Sequence, residues 1–174
     1  MCKGISVSRA QLNRELLEEY GLAGRAWSRR AEFVQTDLFD EARPAAVPST
    51  EDEVHFLYTD PVPRWPVIHD GRLAIYEWGN RGNKESRLYR TGWCQEESLA
   101  AGKWRWLKPE RVIIPANFGL EKGVWFAIEQ GIHGIVVRDE QQRPHVYMLT
   151  RQASDSYLAM TKHERAPVLV EQEI

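Results

Sequence analysis

Cysteine is nearly absent from this chain. Cys2 and Cys94 are the only two among 174 residues, which suits free thiols in a reducing cytosol and speaks against a disulfide framework. Cys and His do not fall at metal-ligand spacings, so no structural zinc is expected, and no metal or cofactor is assigned. No apolar run approaches the ~18 residues of a membrane span, so no membrane partner is expected. The first residues lack a basic-then-apolar signal pattern, which predicts a cytoplasmic protein. Repeats, low-complexity tracts and an inter-domain linker are lacking too. The net charge of −2 argues against a protein that coats nucleic acid indiscriminately. What is there is ordinary globular composition, 43% hydrophobic and 28% charged, enough for a single domain over residues 1–174. Nothing in the pattern fixes an oligomeric state.

Along the chain, SRAQLNRELLEEY (8–20) predicts a helix, with Ser8 as N-cap and Leu12, Leu16 and Leu17 on one face. A second helical piece is expected between Arg25 and Phe39, and RPAAVPST (43–50) reads as a loop. From Val54 the pattern turns to strands: VHFLY (54–58), RWPVI (64–68) and RLAIYEW (72–78), the last two joined by a turn at His69-Asp70-Gly71. RVIIPA (111–116) predicts a buried strand running into a turn at NFG (117–119). Strands VWFAIE (124–129), GIHGIVV (131–137) and HVYMLT (145–150) follow, then a short helix ASDSYLAM (153–160).

The chemistry starts at Cys2. If Met1 is removed, which a small second residue permits, Cys2 carries an α-amine and a thiol on adjacent carbons. The amine titrates near ~7.7–8 and the thiol near ~8.5, so both are partly nucleophilic at neutral pH. An aldehyde can form a Schiff base with the amine and be closed by the thiol into a thiazolidine. The plainer reading is a tolerated Cys at a frayed end. Glu121 falls in a run that otherwise reads as buried strand, where a carboxylic acid can serve as general acid or base; alternatively it is an exposed turn residue. His163 lies between a short helix and Pro167, a position open to a catalyst or a surface histidine. Cys, His and Glu together also suit a thiol hydrolase, although no papain-like pattern surrounds Cys2.

Residues 81–111 are locally basic: eight Lys and Arg against four Glu leave a local +4. Tyr89, Trp93, Trp104 and Trp106 are interleaved with Arg81, Arg87, Arg90 and their neighbours. Cations that track phosphates and aromatic faces that stack bases are what single-stranded nucleic acid binding requires. The competing reading is a solvated basic face whose tryptophans are core, with SLAAGKWRWL as a short helix.

Taken together, the start MC, the strand ending at Trp78-Gly79, the block RVIIPANFGLEKG and the stretch HERAPVLV after MLT and a small helix resemble the SRAP family. These SOS-response-associated peptidase-like proteins shield abasic sites in single-stranded DNA. The second block resembles the family's RCLIPADGFYEW and the last its HDRMPVIL. The resemblance implies an α+β fold with a barrel-like mixed β-sheet core flanked by short helices. It implies Cys2 as the nucleophile of a DNA–protein crosslink, Glu121 as the proton-handling acid and His163 as the residue assisting imine formation and reversal. Thr150 and Arg165 match positions near the site, and Trp78, Arg81, Arg90 and Trp93 complete the expected DNA-binding set. The implied partner is single-stranded DNA bearing abasic sites.

The chain departs from the family in two places. It begins Met1-Cys2-Lys3-Gly4 rather than MCGR, so Lys3 stands in for an early arginine. The family's NARxET segment has only RTGWCQEES (90–98) as counterpart. Aligning Glu97-Ser98 on its Glu-Thr puts Trp93 where Asn is expected and Gln95 where Arg is expected. Placing it without a gap from Arg111 puts Thr91 and Trp93 there, and neither placement supplies an Asn. A divergent member is therefore predicted, with two alternatives to covalent trapping: a non-catalytic single-strand binder, or a thiol autopeptidase using Cys2.

Overall fold

The computed structural model describes residues 2–22, the backbone of 33–34, and residues 53–173. Twelve strands and three short helices alternate along them: β1 (Gly4–Ser8), α1 (Arg14–Glu19), β2 (Phe33–Val34), β3 (Glu53–Leu57), β4 (Arg64–His69), β5 (Arg72–Trp78), β6 (Trp93–Gln95), α2 (Glu96–Ala100), β7 (Glu110–Ile114), β8 (Phe118–Glu121), β9 (Val124–Ala127), β10 (Ile132–Arg138), β11 (Pro144–Gln152), α3 (Asp155–Thr161) and β12 (Arg165–Pro167). Two sheets result. One runs β2-β9-β8-β1-β3. In the other, β10-β7-β4-β5-β11 closes on itself because β10 also pairs with β11, while β12 and β6 extend from β11. The fold is α+β, with a five-stranded barrel and an attached sheet, as the sequence predicts.

Local chemistry explains the best-defined pieces. Asp70 and Gly71 form a two-residue hairpin loop with φ of 50° and 72°, and the register His69↔Arg72 through Arg64↔Glu77 follows from it. Asp-Gly is the pair that takes up two left-handed residues at low cost. β11 is buried at six consecutive positions from His145 to Thr150, which a strand achieves only when both faces are covered. Its faces divide the interior. Val146 and Met148 belong to one core cluster with Cys2, Trp65 and Trp78, whereas Tyr147 and Leu149 belong to another with Cys94, Trp104 and Leu107.

Several expectations are corrected. The helix expected at 8–20 is shorter and later: Gly4–Ser8 is strand, Arg9–Gln11 a single 3₁₀ turn, and the N-cap of α1 is Asn13, whose side chain accepts from Glu15 N at 2.8 Å. The ISVS alternation pairs with β3 and β8, and this ladder outweighs a capping preference. Of the helix expected between Arg25 and Phe39, only 33–34 are described, and they are strand β2, parallel to β9; the loop expected at 43–50 lies outside the described residues. Of the turn expected at 117–119, Asn117 is a bend while Phe118 and Gly119 open β8, where Gly119 lies so close to the Phe126 ring that a Cβ would have no room (2.3 Å). SLAAGKWRWL splits into α2 and a 3₁₀ turn, Arg105–Leu107. Among the described residues no helix is long and apolar enough to cross a membrane.

Candidate functional site

Cys2 is held where the attached sheet meets the barrel core. Lys3 N–H donates to the Leu120 carbonyl at 2.8 Å, and Tyr58 N–H donates to the Lys3 carbonyl at 2.9 Å. The residue before β1 is thus stitched between the ends of β8 and β3, and Cys2 is fully buried. Its thiol donates to the Gly4 carbonyl at 3.0 Å, and its carbonyl accepts the Trp93 indole N–H at 3.0 Å. Trp93 is half-buried. Its ring rests on Tyr58 at 4.6 Å and on Trp78 at 5.7 Å between centroids.

Glu121 follows Leu120 at the end of β8 and is fully buried, as is Tyr157 on α3. Burial pushes the Cys2 thiol from its ordinary 9.0 up to about 12, and the Glu121 carboxylate adds to the rise. The Tyr157 hydroxyl is raised as well, first by burial and then by the charges of Cys2 and Glu121. The three titratable groups therefore share one enclosed, low-dielectric cluster. The α3 N-terminus that places Tyr157 is capped by Ser154, whose hydroxyl accepts from Tyr157 N at 3.1 Å.

His163 is half-buried just beyond α3. Its Nδ1 faces the Arg165 backbone, 3.1 Å from the N–H and 3.2 Å from the carbonyl oxygen. The Lys122 ammonium donates to the Lys162 carbonyl. That contact joins the turn after Glu121 to the residue before His163, so the two predicted groups lie on neighbouring segments.

The remaining predicted residues are largely occupied by the fold. Trp78 is fully buried, donates to the Gly92 carbonyl at 2.8 Å, and stacks on Trp65 with centroids 3.5 Å apart. A side chain at Gly92 would lie 2.5 Å from that indole nitrogen. Thr150 is buried, and Arg165 donates to its carbonyl at 2.7 Å while gripping Glu97 through two bonds of 2.9 and 2.8 Å. This pair holds the Glu97 carboxyl at about 2, well below its ordinary 4.5. Arg81 donates to the carbonyls of Tyr58 and Asp60, both at 2.7 Å, and of Pro61 at 3.1 Å. Arg90 is exposed. His69, Asp70 and Glu110 bring ligand-type atoms within 4.8 Å of one another, although His69 Nε2 and Glu110 already pair at 2.8 Å and Nδ1 faces the Tyr76 hydroxyl at 3.1 Å.

Two surface cavities, of about 310 Å³ beside Ser154 and about 430 Å³ beside Gln11, are not lined by Cys2, Glu121 or His163. The thiol site is closed. Tyr157 and Tyr58 were not legible as site residues, since a lone tyrosine carries no spacing signal. Trp93 is expected from the sequence as a DNA-binding aromatic, whereas its bond to the Cys2 carbonyl carries no sequence signal.

No protein-family model matches the chain, and no curated protein does. Among solved structures, the X-ray crystal structure of a protein from Bacteroides thetaiotaomicron is similar, with a TM-score of 0.50 at 14% identity over 68% of this chain. The match spans 63% of that chain, less than two thirds of its length. At such identity the likeness concerns the fold alone.

Proposed function

We propose that the chain traps abasic sites in single-stranded DNA through Cys2 once Met1 has been removed. The observation that carries this reading is the enclosure of Cys2 with Glu121, next to the segment bearing His163. The freed amine attacks the aldehyde carbon, and a neighbouring acid donates the proton with which the carbinolamine hydroxyl leaves as water. The thiol then adds to the imine carbon, its proton passing to nitrogen, and a thiazolidine results with the loss of one water. His163 and Glu121 are the groups available for that transfer. The resemblance to the SRAP family supports the same assignment.

The burial of the thiol favours a second reading, a binder of single-stranded DNA that does not react. A thiol raised to about 12 is protonated at neutral pH, and it must be uncovered before it can attack. The Trp93 indole, bonded to the Cys2 carbonyl, is one of the groups that hold Cys2 in this buried position.

The deciding experiment incubates Met1-processed protein with single-stranded DNA carrying one abasic site and resolves the products on a denaturing gel beside Cys2→Ala. A heat-stable slow band that requires Cys2 is expected. Binding on a native gel with no such band would leave the non-covalent reading.

A further inference from the structure

The 81–111 segment covers the outer side of the β6–β11–β10 wall, the side carrying Cys94, Tyr147 and Leu149. Two of its three tryptophans, Trp104 and Trp106, part company there. Trp104 is buried against Tyr147, with ring centroids 4.9 Å apart. Trp106 is 50% exposed, and beside it stands Tyr89, 38% exposed, with centroids 6.2 Å apart. The pair puts two adjoining aromatic faces in water.

Tyr89 is fixed rather than loose. Its hydroxyl donates to the Lys103 carbonyl at 3.0 Å, its own carbonyl accepts from Tyr147 at 3.0 Å, and its ring leans on Trp104 at 4.5 Å. The Arg87 guanidinium lies 5.9 Å over the Trp106 ring and donates to the Arg138 carbonyl at 3.2 Å. Around this platform Arg90, Lys103, Arg105 and Lys108 are all exposed, and none forms an ion pair among the described residues. Glu140 is taken up by the Arg87 backbone N–H and the Ser86 hydroxyl, and Glu110, two residues beyond Lys108, pairs with His69 and Arg138. A rigid aromatic surface ringed by uncompensated cations complements a ligand with flat apolar faces and regularly spaced negative charge.

We propose that the Tyr89–Trp106 platform binds single-stranded nucleic acid non-covalently, bases stacking on the two rings and phosphates meeting Arg90, Lys103, Arg105 and Lys108. A duplex hides its base faces, and an acidic peptide or sulfated glycan would use the cations but not the rings. The surface lies across the barrel wall from Cys2, and it is independent of the covalent chemistry proposed there.

The test uses the full chain carrying Cys2→Ala, so that covalent trapping contributes nothing. Anisotropy of a labelled oligothymidylate of ~20 nucleotides is titrated in parallel with heparin. Trp106→Ala is expected to weaken oligonucleotide binding by about tenfold and leave heparin binding unchanged, with Trp106→Phe keeping most of the affinity. The pair Arg105→Ala and Lys108→Ala is expected to lower the salt slope by about 1.4. Melting temperatures of the variants check that the fold is retained. Unchanged oligonucleotide binding by Trp106→Ala overturns the proposal. So does equal loss toward heparin, which would mark a polyanion surface, or duplex binding as tight as single-strand binding. The gel assay with abasic DNA fails or succeeds separately, because it reads Cys2 alone.

Discussion

Trp78 and Trp106 carry the same indole on opposite sides of one barrel wall. Trp78 ends β5, packs against Trp65, Tyr58 and Trp93, and spends its N–H on a backbone carbonyl. Trp106 sits on a single 3₁₀ turn with half its surface in water and a guanidinium over its face. The inner ring supports the enclosure in which Cys2 is buried, and the outer ring supports nothing inside the protein. Side-chain type therefore says little about role here; what the ring's polar edge and faces touch says a good deal.

The contrast breaks most sharply under truncation. Trp78→Ala should cost about 3–5 kcal/mol, as large aromatic deletions in packed cores do, while Trp106→Ala should stay within about 0.5 kcal/mol. Urea unfolding of both variants measures the difference, and equal losses would mean the two rings are not distinguished as described.

A second effect belongs to the inner side and the wall itself. Burial raises both Cys2 and Cys94 to about 12 from 9.0. Because the folded values lie above the unfolded ones, the contribution is complete below pH 9.0 and is lost as pH rises through about 12. Stability should fall by roughly 2–4 kcal/mol between about pH 8 and about pH 10.5. Cys94→Ala should flatten that fall, and Trp106→Ala should leave its slope untouched.

The smallest expected effect falls on Trp93, whose indole N–H anchors the Cys2 backbone. Trp93→Phe keeps the ring but removes the N–H that reaches the Cys2 carbonyl, at about 0.5–1.5 kcal/mol. Maleimide labelling of Cys2, followed by peptide mass mapping, should accelerate in this variant relative to Cys94. An unchanged labelling rate would mean that the Trp93 bond does not hold Cys2 in its buried position.

Much of this architecture could be read from the sequence where interactions are local. Asp70-Gly71 announces its hairpin, and the unbroken apolar run of β11 announces burial on both faces. The ISVS stretch could not be placed, because its strand character comes from partners some fifty and more than a hundred residues away, such as Val7↔Val54 and Ile5↔Gly119. Cys2, Glu121 and His163 could be marked by residue type and resemblance. That the thiol would be fully buried, its carbonyl held by Trp93 and its surroundings shared with Tyr157, depends on side-chain packing between distant elements. The split between Trp104 and Trp106 has a local cause after all: in a 3₁₀ turn residues three apart align, so Trp104 and Leu107 go in together and Trp106 is turned out.

The barrel is closed by a very short seam. β5 and β11 meet in parallel only at Glu77↔His145 and Trp78↔Val146, reinforced by Gly79 N–H to the Val146 carbonyl at 2.8 Å and His145 Nδ1–H to the Gly79 carbonyl at 2.8 Å. These contacts join positions 66 to 68 residues apart, a loop whose closure entropy is on the order of 4 kcal/mol. The β4–β5 and β10–β11 hairpins can form quickly and alone, whereas the seam must wait for both. Folding is thus expected to run at the slow pace of topologies rich in distant pairings. Until the seam shuts, the facing edges of β5 and β11 stand open, and at high concentration the edge of another molecule can take the place of the chain's own.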